Sequence, residues 1–321
     1  MTETGTASTA IEPALVARFA EALARLNPQG GRVGLAVSGG TDSMAMLLLA
    51  HTAIPEGFEV ATVNHGLRPE AADECALVVA ACEARGVPCE VLAVNVGEGN
   101  VQEQARVARY AALAEWAQAR GLDAIATAHH ADDQAETLLM RLNRGSGVAG
   151  LAGIRERSTL GPAKVALIRP LLAFRRHELS EVVKDIPVAD DPSNRDDRYD
   201  RVGIRKALQT ADWIDPAMLA RSAANLADDE QALAAFADWA WGEYVSREGE
   251  GLAIRPIMPR AIALRVLARA IEELGGSPRG GDVARLLDRL EADKNGNVGG
   301  VMVKCAGDLW KVAPEPPRKS R

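Results

Sequence analysis

Apolar residues recur at helical spacing over residues 14–26, with LVARFAEALARL at the centre, and the run breaks at Asn27-Pro28-Gln29-Gly30-Gly31. A short continuous apolar run, Val33-Gly34-Leu35-Ala36-Val37, follows and predicts a buried strand. After a polar loop, residues 44–53 return to a helical pattern. The unit then repeats. Strands predicted over 59–64, 90–94 and 123–128 alternate with helices over 70–85, 102–120 and 132–142, and Gly86, Gly121 and Gly145 stand where those helices should stop. Such alternation predicts an α/β fold, a Rossmann-like parallel sheet with helices on both faces. Ligands on these sheets sit beyond the carboxyl ends of the strands.

From Gly145 the texture changes. Gly145-Ser146-Gly147-Val148-Ala149-Gly150 reads as a flexible loop, residues 164–172 as one more apolar segment and 175–183 as a helix, while 190–199 is polar and rich in turn residues. Past Asp215-Pro216 the spacing is helical over 218–244, 261–274 and 281–292. The expected organisation is therefore a flexible N-terminus (1–13), a catalytic α/β domain (14–215), a mainly helical second domain (216–313) and a disordered Pro-rich, basic tail (314–321).

Composition narrows the classes. At 321 residues, 47% hydrophobic and 25% charged, the chain can bury an ordinary globular core and accommodates about two domains. A net charge of −7 argues against wholesale coating of a nucleic acid but not against a local basic patch. The four cysteines include no CxxC pair, so zinc-knuckle and thioredoxin-like chemistry have no support, and free thiols in a reducing cytoplasm are expected. No basic stretch precedes an apolar run at the N-terminus and no run of eighteen apolar residues exists, so neither a secretory signal nor a membrane span is expected, and the expected location is cytoplasmic.

The first chemical motif is Ser38-Gly39-Gly40-Thr41-Asp42-Ser43, between a strand and a helix. Successive backbone N–H groups and a helix N-terminus favour an anion, and the glycines let a phosphate approach the backbone. The lysine of the GxxxxGK[ST] loop is missing. Asp42 would repel phosphate unless a divalent cation lay between them, so the loop implies Mg²⁺. The bland alternative is a Ser or Asp cap on a helix after a glycine turn.

Three further blocks lie at strand ends or in the following helices. His65 and Arg68, in Val63-Asn64-His65-Gly66-Leu67-Arg68, could touch a nucleotide; a turn histidine is the plain alternative. Arg106 and Arg109 are three apart on one helical face and suit phosphate or a developing oxyanion, against a solvated basic face. His129, Asp133 and Glu136, in Ala128-His129-His130-Ala131-Asp132-Asp133-Gln134-Ala135-Glu136-Thr137, open a helix. Carboxylates there could hold a cationic substrate, or could simply satisfy the helix dipole.

The loop resembles the SGGxDS signature of the PP-loop ATP pyrophosphatases. That resemblance implies cleavage of ATP between its α- and β-phosphates and transfer of AMP to a carbonyl-type oxygen. The ordered set SGGTDS, VNHGLR, ARVARY, AHHADDQAET, GSGVAGLAG, RPLL and DDPSNRDDRYDR resembles the tRNA(Ile)-lysidine synthetase family from about residue 33 to 206, with a weaker helical likeness to 313. It implies that ATP adenylates the C2 oxygen of the wobble cytidine in an isoleucine tRNA with a CAU anticodon, and that free L-lysine then displaces AMP. Carried over by motif, Ser38 to Ser43 bind pyrophosphate with Asp42 on Mg²⁺. His65, Arg68 and Arg106 contact the nucleotide, and Arg106 and Arg109 face the α-phosphate and the adenylated base. His129 stands at the reacting centre as a candidate proton acceptor. Asp133 and Glu136 hold lysine, and Arg201 and Arg205 bind substrate.

Arg175, Arg176, Arg195 and Arg198 join Arg201 and Arg205 as candidates for tRNA phosphates, against a merely salt-bridged surface. A homodimer is compatible with the sequence. One departure stands out: the family's Arg-Asn pair is here Arg201-Val202, followed by Gly203-Ile204-Arg205. By the same resemblance, the chain is expected to be without the extra C-terminal domain of longer members. The rival readings are a PP-loop tRNA thiolase, disfavoured by the lack of CxxC, and a non-catalytic adenine-nucleotide binder, which would not need the acidic helix start.

Overall fold

The computed structural model describes residues 11–66, 70–94, 101–189 and 200–315. The expected flexible residues 1–10, the turn-rich segment 190–199, Arg68 and the tail beyond 315 lie outside them. The described chain divides into two compact units, 1–227 and 228–321, and the division falls later than the cut expected at residue 215.

The first unit runs α1 (Pro13–Leu26), β1 (Val33–Ala36), α2 (Thr41–Ala53), β2 (Phe58–Asn64), α3 (Glu70–Glu83), β3 (Cys89–Ala93), α4 (Val101–Arg120), β4 (Ala124–Ala126), α5 (Ala131–Asn143), α6 (Val148–Leu151), β5 (Arg157–Leu160), β6 (Val165–Ile168), α7 (Arg176–Val182) and α8 (Asp200–Thr210). Its six-stranded sheet has the order β3-β2-β1-β4-β6-β5. All pairs are parallel except β5–β6, an antiparallel hairpin where the sequence predicts only one apolar segment.

Local pattern explains these elements. α1 starts with Pro13, whose missing N–H costs nothing in a first turn, and buries Leu15, Phe19, Leu23 and Leu26 along one stripe. α2 is apolar almost all round and buries Met44 through Ala50, as expected of a helix inside the domain. One face of the sheet packs on α1, α2, α3 and α7. The other packs on α4 through Leu113, Trp116 and Ala117. Gly34 is what lets Trp116 lie on the sheet: a Cβ there would stand 2.4 Å from the indole ring.

β1 lies between β2 and β4, and the order of connections reverses there. The crevice beyond the carboxyl ends of β1 and β4 is thus the switch point at which such sheets take ligands.

α9 (Pro216–Tyr244) contains the division between units. The second unit continues with β7 (Val245–Glu248), β8 (Gly251–Ile254), α10 (Arg260–Glu273), α11 (Gly280–Glu291), β9 (Gly296–Val298), β10 (Val301–Ala306) and β11 (Leu309–Pro314). Its strands form an antiparallel sheet, β7-β8-β11-β10-β9. Ile254, Val301, Val303 and Val312 of the sheet pack on Ile262, Val266, Leu267 and Ile271 of α10 and on Leu286, Leu287 and Leu290 of α11. The three expected helices are present. The sheet is an addition to the helical reading, because strands of three to six residues broken by glycines leave no long periodic signal. Pro314 ends a strand opposite Val301, a position where its missing N–H interrupts nothing. Among the described residues no helix is long and apolar enough to cross a membrane.

Candidate active site

A cavity of about 520 Å³ opens at the β1/β4 crevice. Its floor is the loop after β1. Gly39 has φ +87°, and a Cβ there would lie 3.2 Å from the Glu74 carbonyl, so glycine is required on both counts. Gly40 is the N-cap of α2 and no side chain caps that helix. The alternative of a Ser- or Asp-capped helix is therefore not what forms, and the N-terminal N–H groups keep their capacity for an anion. Ser43 braces the turn: its Oγ donates to the Gly40 carbonyl (3.0 Å) and accepts from the Ser38 N–H (3.1 Å). The Ala189 N–H donates to the Gly39 carbonyl (2.9 Å), which ties the loop to the chain before α8.

Asp42 projects into this cavity from the first turn of α2. Its Oδ2 is 3.4 Å from His130 Nε2, while its Oδ1 is buried without a hydrogen-bond partner. A buried carboxylate oxygen left bare is costly unless a cation completes it. Among the described residues no three His, Cys, Asp or Glu side chains gather to hold a metal, so Asp42 is the carboxylate there with an oxygen left open to a cation.

His130 is the residue that motif reading passed over in favour of its neighbour. It is fully buried and N-caps α5: its Nδ1 accepts from the Asp133 N–H (3.4 Å), and Asp133 Oδ2 accepts from the His130 N–H (3.1 Å). The His-x-x-Asp spacing is the sequence signal of this reciprocal cap. His130 Nε2 also lies 3.5 Å from Asp133 Oδ2. Burial pulls its pKa down, but Asp42 and Asp133 together outweigh burial and hold it above the ordinary value. His129 is the opposite case. Burial, helped by Arg169, Arg109 and Arg201 and opposed by Asp133, lowers it to about 4, so it is neutral. Its Nδ1 is 3.0 Å from Thr127 Oγ1.

The far wall is an ion-pair clamp between α5 and α8. Arg201 Nη2 donates to Asp133 Oδ1 (2.8 Å) and its Nε to Glu136 Oε2 (2.6 Å). Arg205 Nε donates to Glu136 Oε1 (2.6 Å). Glu136 is 1% exposed and closed on both oxygens by guanidiniums. Burial works to raise the Asp133 pKa, yet His130 and Arg201 overcome it and hold the carboxyl below its ordinary value. Val202, in place of the family asparagine, is buried and does not line the cavity.

The remaining expected residues divide. Ser38, Gly40, Thr41, Asp42, Ser43, Arg109, His129, Asp133, Arg201 and Arg205 line the cavity; Glu136 stands behind it in the clamp. Arg106 is exposed and stacks with Arg109 on the Tyr110 ring, 5.0 and 5.2 Å from its centroid, outside the lining. His65 follows β2 and does not line the cavity. Arg175 pairs with Asp132 (3.3 Å) and Asp215 (3.1 Å), as the salt-bridged alternative has it. Arg176 lines the cavity with its Nε buried and unpartnered, a residue grouped by sequence only with distant phosphate contacts.

Comparison with known proteins identifies the family. A PP-loop domain profile matches residues 12–211, more than half of the chain. The chain is 45% identical to the tRNA(Ile)-lysidine synthase of Novosphingobium aromaticivorans over 94% of both chains, and 40% identical to that of Zymomonas mobilis over 91% of both. Among solved structures, the U34-tRNA thiolase NcsA from Methanococcus maripaludis, described with its [4Fe-4S] cluster, superimposes with a TM-score of 0.56 at 19% identity. That match covers 67% of this chain and 79% of the thiolase, and shows a shared fold. With an anion-ready loop and a carboxylate–guanidinium wall meeting at the sheet's switch point, and relatives matching end to end, the chain belongs to the tRNA(Ile)-lysidine synthase family of PP-loop proteins.

Proposed function

We propose that the protein joins L-lysine to C2 of the wobble cytidine of an isoleucine tRNA with a CAU anticodon, spending ATP to AMP and pyrophosphate. The observation that carries this reading is the meeting of two unlike surfaces in one cavity. An uncapped helix start with the bare Asp42 Oδ1 faces an acidic helix start clamped by arginines. The first suits a triphosphate, the second a zwitterionic amino acid. Neither a thiolase nor a passive nucleotide binder is favoured, since the relatives matched over nearly the whole chain are lysidine synthases and the four cysteines form no CxxC.

The chemistry follows from the groups present. The Ser38–Ser43 loop holds the β- and γ-phosphates against the α2 N-terminus. The cytosine C2 oxygen attacks the α-phosphorus, the bond to the β-phosphate oxygen breaks, and pyrophosphate leaves. Arg109, at the cavity wall, stabilises charge growing on the α-phosphate. Asp42 would hold Mg²⁺, which would supply positive charge to stabilise the leaving pyrophosphate.

The lysine ε-amine, as the neutral base, then forms the N–C2 bond, the bond from C2 to the AMP oxygen breaks, AMP departs, and the proton shed by the nitrogen passes to water. Asp133 and Glu136 are the carboxylates offered to lysine. Because Arg201 and Arg205 already occupy them, lysine enters by exchanging a guanidinium contact for its own ammonium, and the released arginine meets its carboxylate. Neutral His129 adds no positive charge to oppose that ammonium. The target base must leave its stack to reach the cavity.

Mass spectrometry of tRNA incubated with ATP and lysine tests the reading. An ATP-dependent mass gain on the anticodon cytidine is expected. Sulfur transfer, or no lysine incorporation, would sink it.

A further inference from the structure

Beside the cavity lies a basic cluster that shares Arg109 with it and whose Arg169 and Tyr110 the steps above leave unused. Arg169 follows β6 directly and is only 6% exposed. Its Nη1 donates to the Arg155 carbonyl (2.5 Å) and to Ser158 Oγ (3.2 Å), but its Nε is buried with no partner. Among the described residues no carboxylate pairs with it. Next to it lies the buried hydroxyl of Tyr110, which interacts with Arg169 but forms no well-aligned hydrogen bond. Arg106 and Arg109 crowd the ring of the same tyrosine. A phenol and three guanidiniums thus converge, with Arg169 Nε and the Tyr110 hydroxyl short of well-formed hydrogen bonds and, among the described residues, no carboxylate on Arg169. Burial lowers the Arg169 pKa, Tyr110 opposes it, and Arg106 adds to it, as expected of a cation lacking its anion.

Position identifies the anion. The Thr127 N–H donates to the Ile168 carbonyl (3.0 Å), so Arg169 stands beside the strand end that carries His129. In the order β1-β4-β6, however, it is two strands from the phosphate loop, roughly 10 Å at ordinary strand spacing. That places the cluster on the far side of β4 from the loop that grips the pyrophosphate. We propose that Arg169 and Tyr110, flanked by Arg106 and Arg109, form an oxyanion subsite that takes a backbone phosphate of the RNA next to the reacting base. The inference rests on the proposed function and adds to it the groove by which the RNA strand is registered. A phosphate of the nucleotide is the other source of the same chemistry.

The test uses the full chain, a tRNA(Ile) transcript with a CAU anticodon, and ATP. Arg169→Gln is expected to weaken tRNA binding about tenfold and to lower the slope of log affinity against log salt by about one, since one phosphate contact is lost. The ATP KM should hold. Tyr110→Phe removes a donor but no charge, and should weaken tRNA binding about threefold with the slope kept. It leaves the Arg155 and Ser158 contacts of Arg169 in place, so it reports even if Arg169→Gln does not fold. A raised ATP KM with unchanged tRNA binding assigns the anion to the nucleotide and overturns the RNA assignment. Unchanged tRNA affinity in Tyr110→Phe, or in a folded Arg169→Gln, overturns the subsite. If the wild-type chain joins lysine to this tRNA while the variants behave as wild type, only the subsite falls. If the wild type neither binds nor modifies the tRNA, the proposed function falls and takes the subsite with it.

Discussion

The two walls of the cavity are built on opposite plans. The phosphate loop is local: six consecutive residues, a left-handed glycine and one serine bracing the backbone. The opposite wall is assembled from afar. Glu136 meets Arg201 and Arg205 across 65 and 69 positions of sequence, and the contacts are long side chains rather than backbone. Local backbone geometry tolerates changes of charge but not of shape. The clamp should show the reverse, tolerating shape but failing when its charges no longer balance.

The sharpest way to break the comparison is Asp42, the one charge inside the local wall. Asp42→Ala should cut pyrophosphate release by about a thousandfold, ~4 kcal/mol in barrier, with the melting temperature retained. A loss of folding instead would make Asp42 a structural residue and blur the contrast. On the distant wall, Glu136→Gln leaves two guanidiniums facing an amide. Arg201 is 40% exposed and screened by water, so the destabilisation should be about 2 kcal/mol, below the range for fully buried pairs. Urea denaturation measures it, and a shift below about 1 kcal/mol would demote the clamp to surface decoration.

Legibility followed the same line. Ser38–Ser43 could be read because every atom it needs is in one hexapeptide, and the alternation of strands and helices placed it on a strand end. The Arg201–Glu136 contact could not be derived from spacing; only likeness to a family linked those residues. His130 was hidden by its neighbour. Both histidines follow β4, but the extended backbone at the N-cap turns His130 into the cap of α5 and leaves His129 facing Thr127, and a motif string carries no backbone conformation. The second unit's sheet escaped because its strands are shorter than the window in which a period of two becomes visible.

Two smaller effects refine the contrast. His129 has a folded pKa of about 4 against an unfolded value of 6.5. The unfolded chain therefore binds the extra proton first, so its contribution is present above pH 6.5 and is lost as pH falls toward 4, by about 2 to 3 kcal/mol. His130, raised above its ordinary value, acts in the other sense: its contribution is full below pH 6.5 and fades as pH rises through its folded pKa. His129→Gln should flatten the acid side of a stability–pH curve; an unaltered curve would refute the assignment. Least of all, Gly39→Ala forces a Cβ into a left-handed turn near the Glu74 carbonyl. It should cost about 1 to 2 kcal/mol and raise the ATP KM, both measurable on the purified chain.

The hydrogen bond from Ala189 to Gly39 has a different kind of consequence. It fastens the local wall to the stretch of chain that leads to the distant one, using only main-chain atoms. Any amino acid except proline supplies the N–H at 189, so that position can drift through generations while the joint persists. Relatives could keep this fastening without sharing a single letter there. A survey of conserved residues would pass over it, and a proline scan would find it at once.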